Sequence, residues 1–396
     1  MGLVQDIILY FKKKYLIKNQ IDQSIPNFNL YTPSNKTIVF ISKNTPTPDK
    51  DSGSNRLKEL IIAFKELGFN CIICSKNAYR TDEYIQYFSN LGVITYVESN
   101  QYENYFAFLK SIPKVDYVWF NGPNELKKNL KKINFNLPSS KTIYDMVDIH
   151  FLRYQRAIEL DPTRISLRKK YLKYLEIETK FSKQVDYVIA ISEIEKEIMS
   201  QYVNSNKIIT ISNIHYPKIK KEECFTFENR KDLLLIGSTH APNIDSIHYL
   251  YNEIMPLVWK KLPDVKVIII GNVIDKIGDI QDSNFIFKGY VPDIEPFFIS
   301  SKMMIAPLRF GAGVKGKIGQ AFEYHLPVIT SSIGAEAMNL TNRKNVLIED
   351  SSEGFASAIV ELYTNKELWQ KLQNQSEKNL EPFSIERVKQ SILIFE

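Results

Sequence analysis

Three basic residues in the second half of the chain lie on a glycine-rich segment, APLRFGAGVKGK (residues 306–317). An apolar run with strand character ends at Ala306, and a helix is predicted to begin near Val314. Glycines let the backbone approach a ligand closely, and the free amides of a helix N-terminus bind anions. With positive charges beside them, these groups predict a diphosphate site that requires no metal. The site residues are Arg309, Gly311, Gly313, Lys315 and Lys317; the alternative is a solvated basic surface.

The elements that would position this segment are short apolar runs that alternate with helical segments. Strands that are apolar throughout, with helices between them, indicate a parallel sheet covered on both faces. Strands are predicted in the first half at residues 37–41, 71–74, 93–97, 115–120, 142–146 and 187–191. In the second half they are predicted at residues 233–236, 265–270, 284–287, 303–306, 327–330 and 346–348. A long charged helix is predicted over residues 164–185.

The predicted fold class is α/β, with two Rossmann-like doubly wound domains facing a cleft. A polar stretch at residues 218–230 separates the two series of strands. We place an N-terminal helix and linker at residues 1–36, the first domain at 37–222, the second at 223–381 and a C-terminal helix at 382–396. In such folds the ligand binds in the cleft, at the carboxyl ends of the strands.

The composition excludes several classes of protein. A chain of 396 residues is long enough for two cores, and 44% hydrophobic with 24% charged residues is typical of globular proteins. The net charge of +6 suits anionic partners such as nucleotide diphosphates or a phospholipid surface. No basic tract with interleaved aromatics occurs, so no nucleic-acid partner is expected. The five histidines show no metal-ligand spacing, so no metal site is predicted.

The three cysteines provide no disulfide framework. Cys71 and Cys74 form a CxxC inside an apolar run, whereas redox pairs lie at exposed helix N-termini, so we predict core thiols. Free thiols favour a reducing cytoplasm. The sequence contains no run of 18 apolar residues, so no transmembrane helix is predicted.

The N-terminal residues combine apolar side chains at helical spacing with neighbouring lysines. No small-residue cleavage site follows, so a signal peptide is not predicted. A basic amphipathic helix of this kind binds an anionic membrane surface or packs on the protein's own body, and both interpretations stay open. The residues concerned are Leu3, Val4, Ile7, Ile8, Phe11 and Tyr15, with Lys12, Lys13, Lys14 and Lys18.

Six segments resemble retaining glycosyltransferase family 4, the group 1 transferases. In the second half they are RFGAGVKGK (309–317), PVITSSIGAE (327–336), IGSTHAPN (236–243) and EIMPL (253–257). In the first half they are TPTPDKDSGSNR (45–56) and YDMVDIHFLR (144–153). The matching segments occur in the family's order, so the resemblance covers nearly the whole chain.

The resemblance implies a GT-B fold, in which the first domain binds the acceptor, the second binds the donor, and the C-terminal helix crosses back to the first domain. It implies a retaining, metal-independent transfer of a hexose or related sugar to a glycan or lipid-linked acceptor, in surface polysaccharide, capsule or lipopolysaccharide assembly. The nucleotide-diphosphate sugar is a co-substrate, and no cofactor is expected. The implied location is the cytoplasm, with a peripheral contact at the inner face of the cell membrane.

The resemblance also assigns roles to individual residues. Lys315, with Lys317 and Arg309, stabilises the charge that develops on the leaving diphosphate. His150 contacts the donor sugar or an acceptor hydroxyl, and Asp148 holds its tautomer. The other donor-binding residues are Gly237, His240, Asn243, Gln320 and Glu323, and the cleft-loop residues are Asp51, Ser52, Gly53, Ser54, Arg56 and Arg153. For the Asp-Ser-Gly turn and for Asn243, which precedes a predicted helix, a purely structural role is the alternative.

The sequence departs from the family pattern at the paired glutamates spaced E-x7-E. The first position is Ala312, and the second, which normally binds the donor ribose, is Gln320. Glutamine can accept a hydrogen bond without charge assistance, and Glu323 lies one helical turn further on. The family's glycine before Leu-Pro is His325, which adopts left-handed conformations less readily. Two rival functions therefore stay open, a non-catalytic module that binds a glycan or partner, and a nucleotide-sugar epimerase.

Overall fold

A computed structural model describes residues 24–76, 78–277 and 280–396 of the chain. The amphipathic segment predicted near the N-terminus, residues 3–18, lies outside the described residues. Within the described residues, each half of the chain forms its own parallel sheet. The predicted α/β fold with two doubly wound domains is therefore confirmed.

The first sheet has seven parallel strands within the described residues, in the order β3-β2-β1-β4-β5-β6-β7. Six of them coincide with the predicted apolar runs. The seventh, β7, is missing from the prediction. The strands are β1 (Thr37–Ser42), β2 (Asn70–Ser75), β3 (Ile94–Thr95), β4 (Tyr117–Asn121), β5 (Lys141–Asp145), β6 (Tyr187–Ala190) and β7 (Ile208–Thr210).

Helices connect these strands and cover the sheet. The predicted charged helix is α6, and it is preceded by α5, which begins at His150 where the sequence indicated only a loop. The helices are α1 (Ser52–Glu66), α2 (Glu83–Asn90), α3 (Tyr105–Leu109), α4 (Pro123–Asn136), α5 (His150–Leu160), α6 (Ile165–Lys180) and α7 (Glu193–Ser200).

The second sheet has six parallel strands within the described part of the chain, in the order β10-β9-β8-β11-β12-β13. All six match predicted runs. They are β8 (Lys231–Ile236), β9 (Val267–Ile270), β10 (Phe285–Gly289), β11 (Ser301–Ala306), β12 (Val328–Thr330) and β13 (Leu347–Ile348). The helices are α8 (Ala241–Tyr249), α9 (Met255–Trp259), α10 (Glu295–Ser300), α11 (Gly316–Glu323), α12 (Ser332–Ala335), α13 (Ser352–Thr364), α14 (Lys366–Gln373), α15 (Ser376–Leu380) and α16 (Ile385–Ile392).

The helical segment after β8 contains a π-helical turn, Leu250–Ile254, between α8 and α9. Pro256 follows this turn at the start of α9. Proline has no amide hydrogen to donate to the preceding turn, so the regular hydrogen-bond pattern ends before it.

Alternate residues of each strand pack into separate cores on the two faces of the sheets. In β1, Val39 and Ile41 belong to one core and Ile38 and Phe40 to the other, and all four are fully buried. Cys71 and Cys74 are also buried and free, which confirms the prediction of core thiols. Burial raises the pKa of both thiols.

The last helix, α16, lies against the first half of the chain. Its Val388 and Ile392 are buried in the same core as Phe40 and Trp119. After it, the fully buried Phe395 ring contacts the rings of Phe64, Tyr117 and Tyr187, with centroids 5.2 to 5.8 Å apart. The C-terminal residues are therefore part of the first core, although they follow the second sheet in sequence.

None of the helices in the described part of the chain combines the length and the apolar composition that crossing a bilayer requires.

Replacing Phe395 with alanine tests this packing. Removing a fully buried aromatic ring leaves a cavity, so Phe395→Ala is expected to lower the free energy of unfolding of the first domain by about 3–5 kcal/mol. Urea denaturation followed by tryptophan fluorescence measures the change. The control is Ile394→Ala, whose side chain is 56% exposed and should change the midpoint little. Equal midpoints for the two variants would contradict the packing.

Candidate functional site

The N-termini of two helices meet where the first half of the chain contacts the second. Helix α1 begins at Ser52 after β1, and α11 begins at Gly316 after β11. A Cβ atom on Gly316 would lie 2.6 Å from the Cβ of Ser52, so only glycine allows this approach. Both helices end a strand–loop–helix unit, which places the contact in the cleft at the carboxyl ends of both sheets. The free amides of two helices thus make this part of the cleft positive.

The glycine-rich segment also contacts the loop after β5. Gly313 has φ +72°, and a Cβ there would lie 2.9 Å from the Cβ of Asp148. The glycine at this position therefore permits both the left-handed backbone and the contact with the first domain. Gly313 and Asp148 are both predicted site residues, and the structure places them next to each other, one from each domain.

Lys315 and Lys317 are shielded from solvent without an acidic partner. Lys315 is 8% exposed, and its ammonium donates a hydrogen bond to the Gly313 carbonyl. Lys317 is half-buried and donates to Asn243 Oδ1 at 2.5 Å. Among the described residues, neither ammonium forms an ion pair within 4.0 Å. Burial therefore lowers the pKa of both lysines to about 8, and the neighbouring charge of Lys315 contributes to the shift of Lys317.

Two unpaired cations, one buried and one half-buried, are unfavourable in the free protein. Removing a charge from water costs free energy unless a partner charge offsets it. An anion placed between the two ammonium groups and the N-terminus of α11 would provide that partner. The arrangement is suited to binding a group with at least two negative charges, such as a diphosphate.

Arg309, the third predicted cation, already has a partner. Its guanidinium donates two hydrogen bonds to the Asp245 carboxylate, at 2.6 and 3.0 Å, and lies 4.8 Å from the centroid of the Tyr249 ring. The structure therefore gives Arg309 a role in holding the glycine-rich segment to α8, in contrast to the free cation predicted from the sequence.

His150 lies in a cluster of charged groups at the start of α5. Its Nδ1 is 3.0 Å from Asp148 Oδ1 and 3.1 Å from Glu178 Oε1. Glu178, on α6, also accepts hydrogen bonds from the backbone amides of His150 and Phe151, so it caps the N-terminus of α5. Arg153 forms an ion pair with Asp148 from the other side.

The neighbouring carboxylates favour a protonated His150 ring. Burial alone would favour a neutral ring, but the carboxylates of Asp148 and Glu178 outweigh it and raise the pKa of His150 to about 10. Arg153 and His150 together hold the pKa of Asp148 well below its usual range, despite its burial. Asp148 Oδ1 contacts Nδ1 of the ring, the position that its predicted role requires. A protonated ring acts as a hydrogen-bond donor and a positive charge.

Arg56, predicted as a cleft-loop residue, lies below the cleft instead. It is 2% exposed, and its guanidinium binds Asp145 Oδ2 at 2.6 Å and the carbonyl of Ile211 at 2.8 Å. The other oxygen of Asp145 accepts a hydrogen bond from the amide of Val147, a β-branched residue with φ +63°. Arg56 is thus a positioning residue, since it anchors the strained turn that carries Asp148.

The rest of the first cleft loop forms a helix N-cap. Asp51 accepts hydrogen bonds from the amide and the hydroxyl of Ser54, at 2.8 and 2.7 Å, and from Thr47 Oγ1 at 3.2 Å. Gly53 lies beside Val147, and a Cβ atom placed on this glycine would be 3.7 Å from Val147 Cγ1. Asp51 and Ser54 therefore begin α1, and Ser52 and Gly53 provide the contacts with other parts of the cleft.

The remaining predicted donor residues of the second domain lie around α8. Asn243 donates to the backbone and hydroxyl oxygens of Ser238 and accepts from Lys317, so it connects the two segments. Gly237 packs against Asn243, where a Cβ would lie 3.1 Å from the asparagine Cβ. Burial in the cleft and the positive charge of Arg153 lower the pKa of the His240 ring.

Gln320 and Glu323 do not have equivalent positions on α11. Gln320 is half-buried. Glu323 is buried and accepts a hydrogen bond from His215 Nδ1 at 2.9 Å, so it is not available as the substitute ribose ligand that the sequence suggested. The His215 ring occupies the space next to Gly319, where a Cβ would lie 2.4 Å from Nε2. His325 has φ +50°, the left-handed conformation expected of the glycine it replaces.

Several residues of the cleft were not predicted. Arg156 on α5 binds both carboxylate oxygens of Glu336 at 2.7 Å and the Gly311 carbonyl at 2.8 Å, which joins the two domains. Glu195 is buried and accepts a hydrogen bond from the Ile149 amide at 3.0 Å. Burial and the charge of Asp148 raise its pKa to about 8. Only Glu195 had a local signal, the Ser-x-x-Glu pattern of a helix start after β6.

Comparison with known proteins relates this cleft to sugar transferases. Residues 230–365 match the family model described as glycosyl transferases group 1. A Klebsiella pneumoniae protein described as an uncharacterized 44.6 kDa protein in the cps region is 26% identical over 54% of this chain and 57% of its own length. A Haemophilus influenzae protein described as an uncharacterized glycosyltransferase is 24% identical over 54% of this chain and 61% of its own length. The matches thus span less than two thirds of these curated relatives.

Solved structures match over most of the chain. The Anabaena protein HepE, crystallised with UDP and glucose, superposes on this chain with a TM-score of 0.68 at 12% sequence identity. The superposition covers 90% of this chain and 98% of HepE. At this identity the likeness shows the fold alone. The chain therefore has the GT-B fold, and its second half is similar in sequence to group 1 glycosyltransferases.

The charge state of His150 can be measured directly. NMR of histidine-labelled protein should show the His150 ring still protonated at pH 8, with a titration midpoint near 10 and not 6.5. His150→Gln identifies the signal, and His240, whose pKa is lowered from 6.5, is the internal comparison that should be neutral at pH 8. The charged ring stabilises the fold fully below pH 6.5 and progressively less as pH rises through about 10. A midpoint near 6.5 would mean that the two carboxylates do not hold the proton.

Proposed function

We propose that the chain is a retaining, metal-independent glycosyltransferase that moves a sugar from a nucleotide-diphosphate donor to a glycan or lipid-linked acceptor. The observation that carries the proposal is the pair of unpaired ammonium groups at the N-terminus of α11, of the buried Lys315 and the half-buried Lys317. The matching family model covers this same segment. HepE, with the same fold, was crystallised with UDP and glucose, which is the class of donor proposed for this chain.

The chemical step requires charge stabilisation on the departing group. The bond between the sugar C1 and the β-phosphate oxygen breaks, and its electron pair stays on the nucleoside diphosphate. The acceptor oxygen forms the new bond to C1 and loses its proton. Lys315 and Lys317 stabilise the negative charge as it develops, which is the task that a divalent cation performs in metal-dependent transferases.

The charged cluster at α5 limits which group can take the acceptor proton. The raised pKa of His150 favours a protonated ring at neutral pH, so this ring is not suited to accept the proton. Asp148 is paired with Arg153 and His150, and Glu178 is bound to two backbone amides. We therefore assign the proton to an oxygen of the departing diphosphate, and we assign to His150 the donation of a hydrogen bond to a hydroxyl of the sugar or acceptor.

The biological setting is proposed from a relative. The Klebsiella pneumoniae protein is described as belonging to a cps region, which supports a role in capsule or other surface polysaccharide assembly. The acceptor is then a growing glycan or a lipid-linked precursor, bound on the side of the first domain and reached from the cytoplasm.

Replacement of either lysine by alanine tests the donor site. Lys315→Ala and Lys317→Ala should each weaken nucleotide binding by about tenfold to a hundredfold, since a hydrogen bond to a charged group contributes about 1.5–3 kcal/mol. Calorimetry in EDTA against UDP, GDP, CMP and dTDP sugars identifies the donor class and measures the loss. Lys260→Ala, at an exposed position of the second domain, is the matched control.

The outcomes of this experiment separate the rival functions. Arg309→Ala should lose less affinity than Lys315→Ala, because the Arg309 guanidinium is held by Asp245. If no nucleotide binds at millimolar concentration, the transferase proposal fails and a non-catalytic binding module is favoured. If binding appears only when a divalent cation is added, metal independence is wrong.

The pH dependence of donor binding gives a second test. In the free protein the pKa of both lysines is about 8, and a bound diphosphate favours their charged form. Affinity for a nucleotide-diphosphate sugar, whose esterified phosphates do not titrate in this range, should therefore be constant below pH 7, fall as pH rises through 8, and be accompanied by proton uptake between pH 8 and 9. Calorimetry in buffers of different ionisation enthalpy measures the uptake. An affinity that is unchanged from pH 7 to 9.5 would refute the electrostatic assignment.

A further inference from the structure

The exposed face of α6 carries aliphatic residues where a solvated helix is normally polar. Ile165, Arg168, Lys169 and Leu172 follow one another at i, i+3, i+4 and i+7, so they share one face of the helix. All four are exposed, and the side chains of Ile165 and Leu172 are 69% and 62% exposed. Other residues of α6 pack against the first core, namely Tyr171, Tyr174 and Leu175. On the exposed face, Arg168 donates a hydrogen bond to the Pro162 carbonyl at 2.9 Å, and no described residue covers Ile165 or Leu172.

This face continues around the end of the hairpin formed by α5 and α6. Leu160, the last residue of α5, is 47% exposed, so three aliphatic side chains reach solvent at this end. Residues 159–173 contain five cations and two carboxylates. In the described part of the chain none of the five cations forms an ion pair. They are Arg164, Arg168, Lys169, Lys170 and Lys173.

The positive charge extends onto the neighbouring helix α4. Asn124, at the start of α4, accepts a hydrogen bond from Lys173 and donates one to the hydroxyl of Tyr174. The next turns of α4 add four exposed lysines on its solvent side. They are Lys127, Lys128, Lys131 and Lys132.

We propose that the exposed face of α6 and the end of the α5–α6 hairpin dock on an anionic phospholipid surface. Cations interspersed with aliphatic side chains suit this partner, because the cations contact the lipid phosphates and the aliphatic chains enter the interface. A second copy of the chain is not a suitable partner, since it would bring like charges together. A polyanionic glycan or nucleic acid would neutralise the cations but would leave the three aliphatic side chains in water. This surface is distinct from the N-terminal segment and does not depend on the proposed transferase activity.

The position of the surface relative to the cleft is fixed by α5. Helix α5 begins at His150 in the cleft and ends at Leu160 on the docking surface. Eleven helical residues span about 16 Å, so the cleft and the docking surface are separated by about this distance along the helix.

Vesicle co-sedimentation of the full chain tests the proposal. We expect binding to vesicles that contain phosphatidylglycerol, weak binding to pure phosphatidylcholine, and a loss of binding as salt is added. Ile165→Ser with Leu172→Ser should lower the partition coefficient by at least about tenfold, because two aliphatic side chains no longer enter the interface. Arg168→Gln with Lys169→Gln should lower it by about tenfold or more, since each cation contributes about fivefold.

The controls carry equivalent changes elsewhere on the surface. Leu393→Ser with Ile394→Ser removes two exposed aliphatic side chains, and Lys260→Gln with Lys261→Gln removes two exposed cations of the second domain. These variants should bind as the wild type does, and thermal unfolding checks that every variant is folded. The proposal is overturned if the hairpin variants bind vesicles like the wild type. It is also overturned if the chain binds immobilised heparin but not anionic vesicles, which would indicate a polyanionic glycan partner.

Discussion

The cleft is organised around two positive charges that are largely shielded from solvent and have no ion-pair partner among the described residues. Lys315 and Lys317 lie at the N-terminus of α11, whose amides add further positive potential. The carboxylates of Glu336 and Glu195 moderate the charge of Lys315 only from beyond ion-pair distance. Leaving these charges unpaired gains nothing in stability, which supports the proposed anionic ligand. Under that proposal, the free energy that desolvation of the lysines costs is recovered when the diphosphate binds.

The cleft also requires that the two domains approach each other closely, and glycines allow this approach. Three glycines of the glycine-rich segment and α11 lie against side chains from the first half of the chain. At each of these positions a Cβ atom would overlap the neighbouring side chain. The pairs are Gly313 with Asp148, Gly316 with Ser52 and Gly319 with His215. On the other side, Arg56 fixes Asp145, and Asp145 fixes the strained Val147 turn that presents Asp148. The bidentate pair of Arg156 and Glu336 then joins the two walls. The lysines are shielded from solvent because these contacts close the cleft over them.

The sequence predicted the strands of the two sheets better than it predicted the burial and the ion-pair partners of the charged residues. Buried parallel strands are apolar along their whole length, so twelve of the thirteen strands within the described residues were visible, and only the three-residue β7 was missed. The glycine-rich loop and Asp148 were found because their motifs are local. The roles of Arg56 and Glu323 were wrong because burial depends on residues far away in sequence, Asp145 and His215. The charge of His150 was not predictable, since Glu178 reaches it from α6, 28 residues further along the chain.

Helix α5 connects the chemistry of the cleft with the surface proposed for membrane contact. Its first residues are fixed by Glu178, which lies on α6, so the two helices of the hairpin are joined at the cleft end by a buried carboxylate. Tyr154 and Tyr174 stack between the same helices, with centroids 5.4 Å apart. A hairpin fixed in this way has little freedom to tilt relative to the cleft. Contact of its far end with a lipid surface would therefore set the height and orientation of His150 and Asp148 above that surface, and this geometry favours an acceptor whose reacting hydroxyl is held at a constant distance from the bilayer.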